Sequence, residues 1–444
     1  MPTNQPMKVP SMDPWSVCTV AVRRALMLFA LLACLSCGSE PEAEKGLCEG
    51  AEAELFTTLL GGAESDIAFG MTRAKDGGIV LVGRSDSLGQ GMNRGWLART
   101  DRYGRFEWGT DLGPTSGRAD VIATNSGGYL LAHGALQVVE LDAKGVVIWE
   151  KSYPNFAGKL AEAASVTPQV TGGALVAGTR YLGDNQQSSA REAVVLRIAE
   201  DGSLIWGQTY VDEDLTHAND IIADGSKSLI VGWTASKVSA PGREFWAAQL
   251  SSTGDVIWSK RYGGLSDDEA RAAAIAPAGG YVIAGMTRSY GAGDVDMWVV
   301  RVDEQGKELW NRTYGDDDSD EAYAVAAVDK GFIMTGRRNS FGLGPGGLWL
   351  LEIDDQGEPV WQMTYGAAWK SAGHAIEVVK DGYVVGGTTR RKSKASDDFW
   401  ILRSDRVGKH KCPGALCYGE DDLSCGMGLT CDAAEEPFQC VEAP

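Results

Sequence analysis

The segment Trp298-Val-Val-Arg-Val-Asp-Glu-Gln-Gly306-Lys-Glu-Leu-Trp310-Asn-Arg-Thr-Tyr314-Gly315 is one copy of a pattern that the chain repeats. Its skeleton, W-x7-G-x3-W-x3-Y, recurs in full at Trp246, Gly254, Trp258 and Tyr262, and again at Trp349, Gly357, Trp361 and Tyr365. The glycine alone appears seven times, as Gly104, Gly145, Gly202, Gly254, Gly306, Gly357 and Gly408. Six of these are followed four residues later by tryptophan: Trp108, Trp149, Trp206, Trp258, Trp310 and Trp361. Self-similarity at a period of about 50 residues marks an architecture of equivalent, stacked units.

Within a unit, apolar residues alternate in short runs bounded by Gly, Asp and Ser, which is a strand pattern and not a helical one. In the fifth unit, residues 270–276, 280–285, 297–303 and 307–314 read as four strands. Asp303 to Gly306 reads as a tight hairpin whose glycine supplies positive φ. A second glycine closes the second strand at Gly83, Gly178, Gly232, Gly285, Gly336 and Gly387, with His133 in its place in the second unit. Seven third strands occur, but only six tryptophan-bearing fourth strands follow them. The missing one stands at the start: Glu54-Leu-Phe56-Thr-Thr-Leu-Leu60-Gly-Gly matches Trp310 to Gly315, with Phe56 for the tryptophan and Leu60 for the tyrosine. The expectation is an all-β chain forming a seven-bladed β-propeller of four-stranded blades over residues 54–409, its N-terminal strand completing the last blade. The second blade is short between its second and third strands, and Gln137 and Val194 replace the third-strand tryptophan in units two and three. A tryptophan position that repeats in every unit is expected to be core between blades, so Trp258, Trp310 and Trp361 should be largely buried and not sugar platforms.

These motifs resemble the bacterial secreted and surface lipoproteins built from β-propeller repeats of the W-x3-YGG type. The Asp-x-x-Gly-x3-Trp turn is also similar to the repeat of quinoprotein propellers and of outer-membrane-assembly scaffold lipoproteins. The resemblance implies the fold and an envelope address; it implies little about activity, because propellers host enzymes, scaffolds and binding modules alike. The chain departs from the quinoproteins in lacking their adjacent cysteine pair and their usual eight blades.

The N-terminus agrees with export. Arg23 and Arg24 precede an apolar run from Ala25 to about Ser36, too short for a membrane span. Residues 1–36 read as a signal peptide of lipoprotein type, with Met7 or Met12 as alternative starts. A small residue before a cysteine resembles a lipobox, and either Cys37, the preferred site, or Cys34 would carry the lipid. Residues 37–53 form an acidic tether and 410–444 a small cysteine-rich module. No cysteine lies between Cys48 and Cys412. After lipidation at Cys37, six cysteines remain, an even number suited to disulfides in an oxidising compartment. Cys412 falls, by repeat register, where a seventh tryptophan would stand, and Cys48 lies just before the strand that completes that blade. The expected bond is therefore Cys48–Cys412, with Cys417, Cys425, Cys431 and Cys440 paired among themselves.

Composition narrows function. Sixty acids against 41 bases leave a net charge of −19, which argues against nucleic acid and against a polybasic lipid contact. The membrane is reached through the lipid anchor only, and the protein is expected to be a monomer in the outer membrane, facing the periplasm or the surface. No G-x-S-x-G elbow, H-E-x-x-H or P-loop is present.

One repeated position stands out as a candidate site. The residue before the opening alanine of each first strand is Ile67, Arg118, Glu162, His217, Glu269, Glu321 and His374. The last six are the candidate ligand-binding residues, grouped near one mouth of a central channel. Imidazole beside carboxylate suits a cationic ligand or a divalent cation; no other cofactor is expected. The simpler reading is that these polar groups cap the start of the strands and bind nearby amides. Runs such as Asp212 to Asp214 and Asp316 to Glu321 lack calcium-loop spacing and read as solvated acidic loops. The chain is thus expected to be a non-catalytic binding or scaffold module for an envelope protein or glycan. The alternative is a polysaccharide glycosidase or lyase working through loop carboxylates.

Overall fold

The computed structural model describes residues 56–88, 93–115, 117–157, 160–183, 190–236, 242–339, 346–366, 370–390 and 396–407, and the short strands Leu429–Cys431 and Cys440–Glu442. The signal peptide, the tether, Cys34, Cys37, Cys48 and Cys412 lie outside the described residues. No helix among those described is long and apolar enough to cross a membrane.

The chain folds as antiparallel four-stranded sheets, each made of strands consecutive in sequence, in the arrangement of a β-propeller. The fifth unit shows the pattern: Asp268–Ile275, Tyr281–Thr287, Asp296–Val302 and Glu308–Tyr314 pair in chain order. Two such units are joined into one eight-stranded sheet by a single parallel pair, Arg191 with Leu215. The last unit differs. Its strands Ser371–Val379, Gly382–Arg390 and Asp397–Asp405 are completed by Phe56–Leu60, which runs antiparallel to the third with Phe56 opposite Arg403 and Leu60 opposite Phe399.

Burial follows strand position. Second and third strands are buried throughout (Tyr281–Thr287 and Asp296–Val302 completely), because each has a paired strand on both edges and a neighbouring unit on each face. The fourth strands face solvent on one side, so Ile257, Leu309 and Val360 are exposed. The third-strand tryptophans Trp246, Trp298, Trp349 and Trp400 are fully buried. Each donates its indole N–H to the adjoining fourth strand; Trp400 reaches Thr57 Oγ1 at 2.6 Å, 343 residues away in sequence.

The repeated glycine, tryptophan and tyrosine turn out to be one contact between neighbouring units. Tyr262 donates its hydroxyl to Gly306 O at 2.6 Å, Tyr210 to Gly254 O at 2.8 Å and Tyr314 to Gly357 O at 2.7 Å. The tryptophan four residues earlier lies on that same glycine: a Cβ on Gly306 would meet the Trp258 ring at 2.8 Å. Its indole N–H bonds the hairpin as well, Trp258 to Glu304 O at 3.0 Å and Trp310 to Asp355 O at 2.9 Å. Trp258, Trp310 and Trp361 are therefore between units, as expected, but half-buried and not largely buried. Trp258 and Trp310 cover a hairpin of the next unit, and Trp361 donates to Glu352 Oε2 of its own unit at 2.8 Å.

Candidate functional site

Inner strands set the site. Each of Asp66–Arg73, Leu160–Pro168, Leu215–Asp224, Asp268–Ile275, Asp320–Val328 and Ser371–Val379 carries a β-bulge at the same place, the register jumping over Phe69, Ala164, Asn219, Arg271, Tyr323 and His374 in turn. A bulge re-aims the side chain of its extra residue. A cavity of ≈ 270 Å³ lies where these strands converge, lined by all six bulged positions and, from the second unit, by Arg118. Asp120 and Asp220 line it as well. A second cavity of ≈ 460 Å³ shares Phe69 and Arg118 with the first and adds Arg84 and Glu162.

Of the six candidate residues, Arg118 and His374 line the first cavity and Arg118 and Glu162 the second; Glu269 and Glu321 reach the bulged residues Asn219 and Arg271, and His217 lines neither cavity. Gly373 pairs with Gly387, so Ala372 holds the register position of Glu269 and Glu321, and His374 is the bulged residue two places further on. Gly373 stands where the other units have alanine, so the residue before the next alanine, Ala375, is not the repeated position. Arg271, Tyr323 and Asn219 were not legible as site residues: strict alternation carries no mark of a bulge.

The carboxylates meet arginines. Glu321 pairs with Arg271 at 2.7 Å and with Arg337 at 2.7 Å, and accepts from Tyr323 Oη at 3.3 Å. Glu269 pairs with Arg243 at 3.2 Å, and Glu162 accepts from Tyr181 Oη at 3.0 Å. Arg118 Nη1 donates to Asn219 Oδ1 at 3.1 Å. Burial and the facing Arg271 guanidinium hold Arg118 below the ordinary arginine range. His217 stacks on Trp233, ring centroids 5.3 Å apart, and Arg191 and Arg243 also lie over that indole. Tyr323 packs between the Arg271 guanidinium and the His374 ring. Burial, reinforced by Arg118 and other nearby guanidiniums, keeps both imidazoles neutral: His374 is pushed down to about 3 and His217 well below its usual value.

This chemistry fits a cation poorly. Among the described residues, no three His, Cys, Asp or Glu side chains converge as metal ligands. The acids expected to hold a metal are neutralised by Arg271, Arg337 and Arg243 instead.

The carboxylates of Asp120 and Asp220 act as latches between strands. Asp120 Oδ2 accepts from Val166 N at 2.9 Å and Asp220 Oδ2 from Ala273 N at 3.0 Å, each on the next unit's inner strand. Ser165 Oγ donates to Asp220 Oδ1 at 2.8 Å. Burial raises Asp120 to about 6 and raises Asp220 as well. The acidic runs also differ from solvated loops in part: Asp268 and Asp320 are fully buried and accept from Gly264 N at 2.8 Å and Asp316 N at 3.0 Å, pinning the loop before each inner strand.

No family model matches the chain, and no curated protein matches it. Among solved structures it is similar to BamB from Moraxella catarrhalis at 12% identity, covering 76% of this chain and 86% of that one, with a TM-score of 0.43. It is similar to the WD40 β-propeller domain of Doa1 at 15% identity over 78% and 95%, TM-score 0.48. The polysaccharide lyase Uly1 is similar at 9% identity over 78% and 90%, TM-score 0.49. The likeness in each case is one of overall architecture.

Proposed function

We propose that the chain is an exported lipoprotein, anchored in the outer membrane through Cys37 or Cys34, that presents a closed seven-bladed propeller as a non-catalytic binding module for an envelope protein or glycan. Closure is supported by the inner strands, which pack on one another in chain order until Ser371–Val379 meets Asp66–Arg73. Arg73 N donates to Glu377 Oε1 at 3.1 Å across that junction, the same latch that Asp120 and Asp220 make elsewhere. The N-terminal strand then fastens the last blade by chain from the other terminus.

One observation carries the choice of binding over catalysis: the mouth carboxylates Glu269 and Glu321 are held in ion pairs, and Glu162 by a tyrosine hydroxyl. A glycosidase needs one free acid and one free base facing the bond to be cut. A polysaccharide glycosidase or lyase is the second reading, favoured by Asp120, whose raised pKa suits a general acid. Its oxygens, however, are engaged by Val121 and Val166 amides. Capture from envelope extracts, with glycan-array binding alongside, tests the first reading. New reducing ends or unsaturated products on incubation with envelope polysaccharides would instead establish the second.

A further inference from the structure

We propose that the channel mouth recognises an acidic saccharide, whose carboxylate or phosphate group sits against Arg118 and Arg271. The proposal rests on the binding-module reading above and names the class of its ligand.

Arg118 is the key. Among the described residues its guanidinium forms no ion pair, and it makes a single hydrogen bond, to a neutral amide oxygen of Asn219. It nevertheless lines the cavity together with a second guanidinium, Arg271, whose Nε has no partner. Arg271 is compensated by Glu321, whereas Arg118 meets no carboxylate at ion-pair distance, and an anion in the cavity would supply one. The planar guanidinium fork matches the geometry of carboxylate and phosphate oxygens. Arg84 and Arg118 line the second cavity, and Arg118 and Arg271 the first.

Size and the remaining polar groups point to a sugar. The second cavity, ≈ 460 Å³, is of the size that takes small molecules and excludes a folded partner. Glu162 and Glu321 beside the arginines offer acceptors, and Asn219 and Tyr323 polar contacts, to hydroxyl groups. A polyol carrying one oxyanion satisfies both sets.

The test is calorimetric titration of the full chain at fixed ionic strength with glucuronate, glucose 6-phosphate, glucose and inorganic phosphate. Saturable binding of one or both acidic sugars is expected, at least about tenfold tighter than glucose. Which acid binds distinguishes carboxylate from phosphate as the recognised group. Arg118→Gln should weaken binding about tenfold or more, and Arg312→Gln, on an outer strand, should leave it unchanged. If Arg118→Gln fails to fold, Arg271→Gln carries the same expectation. Equal binding by the folded variant, or no saturation with either acid, overturns the proposal. Glucose binding as tightly as the acids, or inorganic phosphate alone binding as tightly, also overturns it. A neutral glycan captured on the array would in those cases leave the binding-module reading standing; no capture of any glycan or protein would remove both.

Discussion

Tyr262 and Trp258 act on the same glycine, and the energetics of the repeat are set at that contact. The Tyr262 hydroxyl is buried on Gly306 O, and burial raises its phenol pKa so that it remains a donor. Tyr262→Phe should cost about 1 kcal/mol by urea unfolding, the usual net value of a buried neutral hydrogen bond. Gly306 has φ +73 and Gly225 has φ +59, but a Cβ on Gly225 meets nothing within 4 Å. Gly225→Ala therefore reports the backbone penalty alone, about 1 kcal/mol, and Gly306→Ala should exceed it by roughly 1–3 kcal/mol because it overpacks the Trp258 ring. Equal losses would mean that the tryptophan moves aside freely. Titration is also decided locally. Burial depresses His133 to about 4 and His374 to about 3, so the stability they contribute is present above pH 6.5 and lost as pH falls through those values. Asp120 runs the other way: raised to about 6, it contributes below pH 3.8 and loses that contribution as pH rises through 6. Urea midpoints from pH 7 to 4 should show His374→Gln gaining on the wild type as pH falls, by at most about 1.4 kcal/mol per pH unit. A constant gap would show that this imidazole titrates in the fold as it does in the unfolded chain.

The element with most consequence is Phe56–Leu60. It covers the edge of Asp397–Asp405 and supplies Thr57 to the Trp400 indole and Thr58 to Gly104 O at 2.9 Å. Removing residues 1–53 should leave the melting transition in place. Removing residues 1–61 should expose the edge of a buried strand, lowering the melting temperature and producing association visible by light scattering. Identical behaviour of the two truncations would show that the last sheet holds without its fourth strand. In the tail, Leu429–Cys431 and Cys440–Glu442 pair with Cys431 opposite Cys440. That register predicts a Cys431–Cys440 disulfide, to be read by non-reducing peptide mapping.

At the scale of the whole molecule, neighbouring units share three kinds of bond: the carboxylate latch at the inner strand, the buried core between sheets, and the tyrosine–glycine contact at the rim. The strands, their order and the N-terminal strand's role were legible in the sequence, because each unit repeats the same short-range requirements. Alternation sets which face is buried, and Gly306 is demanded by a hairpin with positive φ. What Trp258 and Tyr262 touch was not legible, since their partners lie 44 and more residues ahead in another unit. The candidate site was legible in part. Glu162, His217, Glu269 and Glu321 follow from the repeat register, whereas Arg271, Asn219 and Tyr323 depend on a bulge that reverses their direction. The sequence by itself determined a repeated four-stranded unit and its pairing across the termini, because these rest on periodicity and turn chemistry within about 50 residues. Only the tertiary structure decided the charge of the channel mouth. Strands from distant units bring their side chains together there, and arginines from second and third strands reach over to acids on the first.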